Sequence, residues 1–203
     1  MYRLLWAVLL LPAAALGASF DCTVATHKVE RMICQDKALS AMDEELGELF
    51  GSLAEASDSP NKLQATQKAW LKTRNACDDA ACVQIQYENR IAELACDSSF
   101  TGSSLGAGYC AGAQQQVLDR ELSALEKKYA QSTAAASNNP DYTAEVIAEE
   151  QRSWRNYRSA YCIMQGAIEG GSDGWKNAFA GLCEIEKTQQ RIDTLRKDND
   201  ITF

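Results

Sequence analysis

QKAWLKTRNAC at residues 67–77 and QRSWRNYRSAYC at residues 151–162 are one segment written twice, and this segment decides the fold. In each copy Gln, Trp and Arg follow one another at steps of three and four: Gln67, Trp70, Arg74, then Gln151, Trp154, Arg158. That spacing puts them on one face of a helix. A cysteine closes each segment, Cys77 or Cys162. Working outward, the first copy has Cys22, Cys34, Asp43 and Leu46 upstream and Cys82, Arg90, Ile91 and Leu94 downstream. The second has Cys96, Cys110, Asp119 and Leu122, then Cys183, Arg191, Ile192 and Leu195. The chain is therefore a disulfide-stapled module repeated in tandem.

The shared plan predicts the pairing. Cys34 and Cys110 both lie nine residues before the repeated Asp, and each has one cysteine shortly upstream. This joins Cys22 to Cys34 and Cys96 to Cys110. Cys82 and Cys183 both lie eight residues before the Arg-Ile pair, which joins them to Cys77 and Cys162. With a single histidine and no Cys-x-x-Cys pair, metal binding and thiol catalysis are poor readings of these cysteines.

Helical periodicity runs through both copies. Leu39, Met42, Leu46, Leu49 and Leu53 form one amphipathic stripe behind a capping Asp36, and Pro60 opens the next helix. Val83, Tyr87, Ile91 and Leu94 mark a third helix, and a short one spans residues 29–33. Leu118, Leu122, Leu125 and Tyr129, then Ile147, Trp154 and Tyr161, then Ile185, Thr188, Ile192 and Leu195 repeat the plan. No alternating strand pattern competes, so the fold class is all-α: two tandem disulfide-stapled antiparallel helical bundles. The polar, Gly/Ser-rich residues 97–109 mark the boundary between them. The copies differ most between their last two cysteines, with four residues in the first and twenty in the second. Residues 163–182 read as a glycine-rich loop stapled at both ends.

Residues 1–17 read as an export signal: Arg3, an apolar run over residues 4–16, and small residues Ala15, Gly17 and Ala18 at the cut. The two modules then occupy residues 18–95 and 96–203, in a periplasmic or secreted protein without a stable membrane insertion. The 203-residue chain carries 28 acidic against 20 basic side chains, a net charge of −8. Such a surface disfavours nucleic acid and steers association towards a basic protein partner.

No constellation of residues calls for catalysis. Asp43 with Arg74, and Asp119 with Arg158, read as ion pairs that lock adjacent helices in register beneath Trp70 and Trp154. His27 reads as a solvated side chain on a turn. Neither a phosphate-binding loop nor metal-ligand spacing is present, so no cofactor or metal is expected. Asp173, Trp175 and Phe179, on the stapled segment unique to the second copy, are the candidate partner-binding residues.

The first module resembles the lysozyme inhibitor LprI-like N-terminal domain family. The resemblance rests on Ser19-Phe20-Asp21-Cys22, on Cys34, Asp36, Leu39, Asp43 and Leu46, on Gln67, Trp70, Arg74 and Cys77, and on Cys82, Tyr87, Arg90, Ile91 and Leu94. The second module resembles it more loosely, with Gly112 in place of Asp36 and Thr188 in place of Tyr87. The resemblance implies an α-helical disulfide-bonded fold, an envelope location and inhibition of lysozyme. The expected function is therefore a non-enzymatic inhibitor of a cell-wall hydrolase; the alternative is an immunity or envelope-stress protein that binds another toxin or an assembly partner.

Overall fold

The computed structural model describes residues 18–56 and 59–200; the expected export signal lies outside the described residues. A 3-10 turn (Cys22–Val24) precedes α1 (Lys28–Gln35), α2 (Lys37–Ala56), α3 (Pro60–Asn75), α4 (Ala80–Ala95), α5 (Ser98–Thr101), α6 (Ser104–Ala135), α7 (Pro140–Glu169) and α8 (Asp173–Asp200). The described residues contain no strand, and the fold is all-α. The four disulfides join Cys22 to Cys34, Cys77 to Cys82, Cys96 to Cys110 and Cys162 to Cys183.

In the first copy each helix start has a local cause. His27 is exposed but not idle: its Nδ1 accepts the Val29 N–H at 3.3 Å, and Glu30 reaches back to the His27 N–H at 3.1 Å, a capping box for α1. The Asp36 carboxylate accepts the N–H groups of Ala38 and Leu39 at 2.8 and 3.2 Å, which ends α1 and starts α2. Pro60 stands in the first turn of α3, and Asp79 caps α4 through the Cys82 N–H at 2.8 Å. The apolar faces then bury Val29, Ile33, Leu39, Leu46, Leu53, Val83, Tyr87 and Ile91 in one core. Side chains of this size contribute roughly 1.5–3 kcal/mol each when fully buried.

The second copy departs from this at Gly112. With no carboxylate to cap a new helix start, the counterparts of α1 and α2 fuse into α6, a single helix of 32 residues. Glycine inside a helix costs about 1 kcal/mol relative to alanine. Burial of its neighbours Ala111 and Ala113 offsets this. In the first copy α1 folds back over the end of the bundle, and Lys28 pairs there with Asp78. In the second copy α6 runs straight on, and its N-terminal half needs other partners.

The twenty residues between Cys162 and Cys183 supply them. Expected as a loop, residues 163–182 are instead helical except at the 170–172 turn, where Gly170 and Gly171 take φ values of 79° and 84°. The other glycines of this segment are contact points rather than breaks. A Cβ on Gly166 would stand 2.2 Å from the Lys176 carbonyl oxygen, one on Gly174 2.6 Å from Ser104 Oγ, and one on Gly181 2.9 Å from the Ala111 Cβ. The Gly174 and Gly181 contacts, with Gln115 on Thr188 and Arg196 on Glu121, show that α8 runs parallel to α6. The straight α6 and the long α7–α8 hairpin are thus two halves of one change.

Residues 97–109, expected as a polar boundary segment, also form helix. Asp97 accepts the Ser99 N–H at 3.0 Å and starts α5, and Ser103 Oγ accepts the Gly106 N–H at 3.0 Å and starts α6. Polar and small residues here serve as caps and close contacts. The joint between the copies is packed: Arg120 pairs with Glu88 and donates to Asn89 at 3.1 Å, and the Tyr109 hydroxyl donates to Glu45 at 2.6 Å.

Candidate partner-binding site

The repeated polar residues meet as a clamp in each copy. In the first, Asp43 is only 4% exposed. Its Oδ1 accepts the Tyr87 hydroxyl at 2.6 Å; its Oδ2 accepts the Ser19 N–H at 2.7 Å and the Ser19 hydroxyl at 2.6 Å. Arg74 Nη1 lies 3.6 Å from Asp43 Oδ1 and donates to the Tyr87 oxygen at 2.9 Å. The Trp70 ring lies 5.4 Å from the Arg74 guanidinium and meets Tyr87 edge-on at 5.3 Å. In the second copy Arg158 Nη1 donates directly to Asp119 Oδ1 at 2.7 Å and to Thr188 Oγ1 at 2.8 Å. Gln115 donates to both Asp119 and Thr188 at 2.9 Å, and Trp154 lies 5.4 Å from Arg158.

The element missing from the sequence reading is the hydroxyl that the third helix adds to each pair: Tyr87 bridges Arg74 and Asp43, while Thr188 accepts from Arg158 beside its direct bond to Asp119. A second repeated clamp was also missed. Arg90 donates to Gln67 and Thr66 at 3.0 Å and to Glu93 at 2.8 Å, while Arg191 reaches Glu150 from the matching place. The signal for it was present in the repeated Arg-Ile pair. With Asp43 buried and fully hydrogen-bonded, the first clamp holds helices together and has no room for a substrate.

Burial, and then the hydrogen bond to Asp43, push the Tyr87 phenol well above its ordinary value of 10.0. Burial and the Glu45 carboxylate push Tyr109 the same way. Tyr87 and Tyr109 should therefore ionise above the ordinary phenol range in an ultraviolet absorbance titration of the folded protein. A folded-state value above the unfolded one means that the contribution to stability is complete below about pH 10 and is lost as pH rises through the folded value. Tyr87→Phe should flatten that alkaline decline, with a cost at neutral pH of about 1–2 kcal/mol for the lost hydrogen bonds. An alkaline slope equal to that of the parent protein would contradict the assignment.

The extended end of the second copy is different in kind. Of eleven large apolar or aromatic side chains exposed among the described residues, six sit here: Leu105, Tyr109, Ile163, Met164, Ile168 and Leu182. Ile168 is 69% exposed. The sequence candidates are placed unequally. Asp173 is exposed and paired with Lys176 at 3.1 Å; Trp175 packs over the Gly171 turn and stacks on Phe179 at 5.7 Å. Only Phe179 lines the groove of about 320 Å³ between α7 and α8, together with Tyr161, Gln165, Glu169, Leu182 and Glu186. Lys187 holds its ammonium 5.0 Å from the Tyr161 ring.

Among the described residues no cluster of His, Cys, Asp and Glu could hold a metal ion, and no helix is long and apolar enough to cross a membrane.

The family model described as lysozyme inhibitor LprI matches residues 22–101 and again residues 96–195. Lipoprotein LprI of Mycobacterium tuberculosis and that of Mycobacterium bovis are each 34% identical over 83 residues, which is 39% of this chain and 42% of the relative. The chain thus spans less than half the length of the curated relatives it matches. No solved structure matches. The two matches together cover most of the chain, one on each stapled bundle, and on that basis the protein belongs to the lysozyme inhibitor LprI family.

Proposed function

We propose that this protein is exported and that it binds and inhibits a basic cell-wall hydrolase of the lysozyme type. The observation that carries this reading is the match of the lysozyme-inhibitor family model to both copies. The charge is consistent with it: each copy has more acidic than basic residues, which would speed encounter with a basic enzyme and favour its orientation. Four disulfides and no free cysteine among the described residues suit an oxidising compartment outside the cytoplasm. The buried clamps serve as scaffold in this reading, and inhibition proceeds by binding rather than by turnover.

The test is the clearing of a cell-wall suspension by lysozymes of several classes, with the oxidised protein added. The expected result is a saturable slowing of clearing that weakens at high salt, since charge steering is screened. Undiminished clearing at excess protein, for every class of lysozyme, would remove the reading.

A further inference from the structure

We propose that the groove between α7 and α8 is the surface that grips the hydrolase, and that it takes a basic side chain of that enzyme, an arginine, between its aromatic floor and its carboxylates. This rests on the inhibitor reading above. The floor is formed by Tyr161, Phe179 and Leu182, with Glu169 and Glu186 along the walls. Both glutamates are exposed, and among the described residues neither is ion-paired. Leu182 is itself 48% exposed, so the floor is open to a partner.

The groove already shows what it accepts. Lys187 lies over the face of Tyr161 at 5.0 Å, so the ring face is used by a cation within the chain itself. A planar guanidinium can stack on an aromatic face and still donate to a carboxylate, which an ammonium does less well. Arginine and aromatic residues are also the side chains that most often dominate binding energy at interfaces. Lys187 opposes a basic occupant by its charge, and among the described residues it is the one cation lining the groove. That opposition gives the proposal its most specific consequence.

The groove is also held in shape before binding. The Cys162–Cys183 disulfide fixes one end, the contact of Gly166 with the Lys176 carbonyl fixes the middle, and the Gly170–Gly171 turn closes the other. A surface pinned this way loses little conformational freedom when it is covered. The first copy has no counterpart, because only four residues separate Cys77 from Cys82.

The experiment measures inhibition and direct binding for the full chain and two variants, with circular dichroism and thermal midpoint as checks on folding. The enzyme is a basic lysozyme that the parent protein inhibits. Glu169→Lys with Glu186→Lys should weaken binding by about tenfold or more and reduce its salt dependence. Lys187→Gln should strengthen binding by about two- to fivefold, a gain that a merely structural role would not produce. If the parent inhibits and both variants inhibit equally well, the groove is not the site, while the inhibitor reading stands. Where the parent inhibits no lysozyme, both fall. A concentration-dependent dimer that the same variants dissociate would assign the groove to a second copy of this chain and overturn the proposal.

Discussion

Replacing Arg74 by methionine is expected to lower the unfolding free energy by about 3 kcal/mol, near the lower end of what breaking a buried ion pair costs. The side chains of Arg74 and Asp43 are 7% and 6% exposed, so the remaining carboxylate has little access to water. It keeps the Ser19 and Tyr87 donors, which is why the upper end of the range is not reached. Arg158→Met should cost less, about 1–2 kcal/mol, because the Asp119 side chain is 40% exposed and Gln115 still donates to it. Adding Asp43→Asn to Arg74→Met removes the stranded charge and should restore part of the loss. Urea unfolding with an unchanged m-value is the measurement. Equal losses at Arg74 and Arg158 would show that burial does not set the cost.

The clamp was half legible in the sequence, for a definite reason. Gln67, Trp70 and Arg74 share a helix face by spacing alone, and the repeat supplied Asp43 as the partner. Spacing within a helix says nothing about which residue of a third helix joins the pair, so Tyr87 and Thr188 became visible only when α4 and α8 were in place. The glycine-rich segments were misread in the other direction. Residues 97–109 and 163–182 carry the composition of loops, yet half of their eight glycines, Gly106, Gly166, Gly174 and Gly181, mark places where two helices touch. Only Gly170 and Gly171 use the positive φ that makes glycine a breaker. The exchange of Asp36 for Gly112 was visible as a difference between the copies. Its consequence, a fused α6 that requires a lengthened hairpin, depends on how three helices pack and could not be read from either position alone.

Removing the Cys162–Cys183 bridge by paired Cys→Ser substitution should cost about 3 kcal/mol, against about 2 kcal/mol for the Cys77–Cys82 bridge, by loop-closure entropy at separations of 21 and 5 residues. The expected fall in thermal midpoint is on the order of 6–12 °C for the first pair. Packing gives no reserve against it: the buried apolar cluster of the second copy is Leu122, Ile192 and Leu195, while that of the first is several times larger. The two bridges should separate further in function. Without Cys162–Cys183, α7 and α8 keep the Gly170–Gly171 turn and the Gly166 contact on one side of the bridge and the Arg158–Thr188 and Arg191–Glu150 contacts on the other, but the groove loses the covalent tie between its walls. Loss of the Cys77–Cys82 bridge leaves that groove untouched. Inhibition titrated well below the thermal midpoint of each variant should therefore weaken for the Cys162–Cys183 pair and stay near the parent value for the Cys77–Cys82 pair. Equal weakening by both would mean that overall stability governs inhibition. Weakening by the Cys77–Cys82 pair alone would move the gripping surface to the first copy, where α1 covers the end of the bundle that the second copy leaves open.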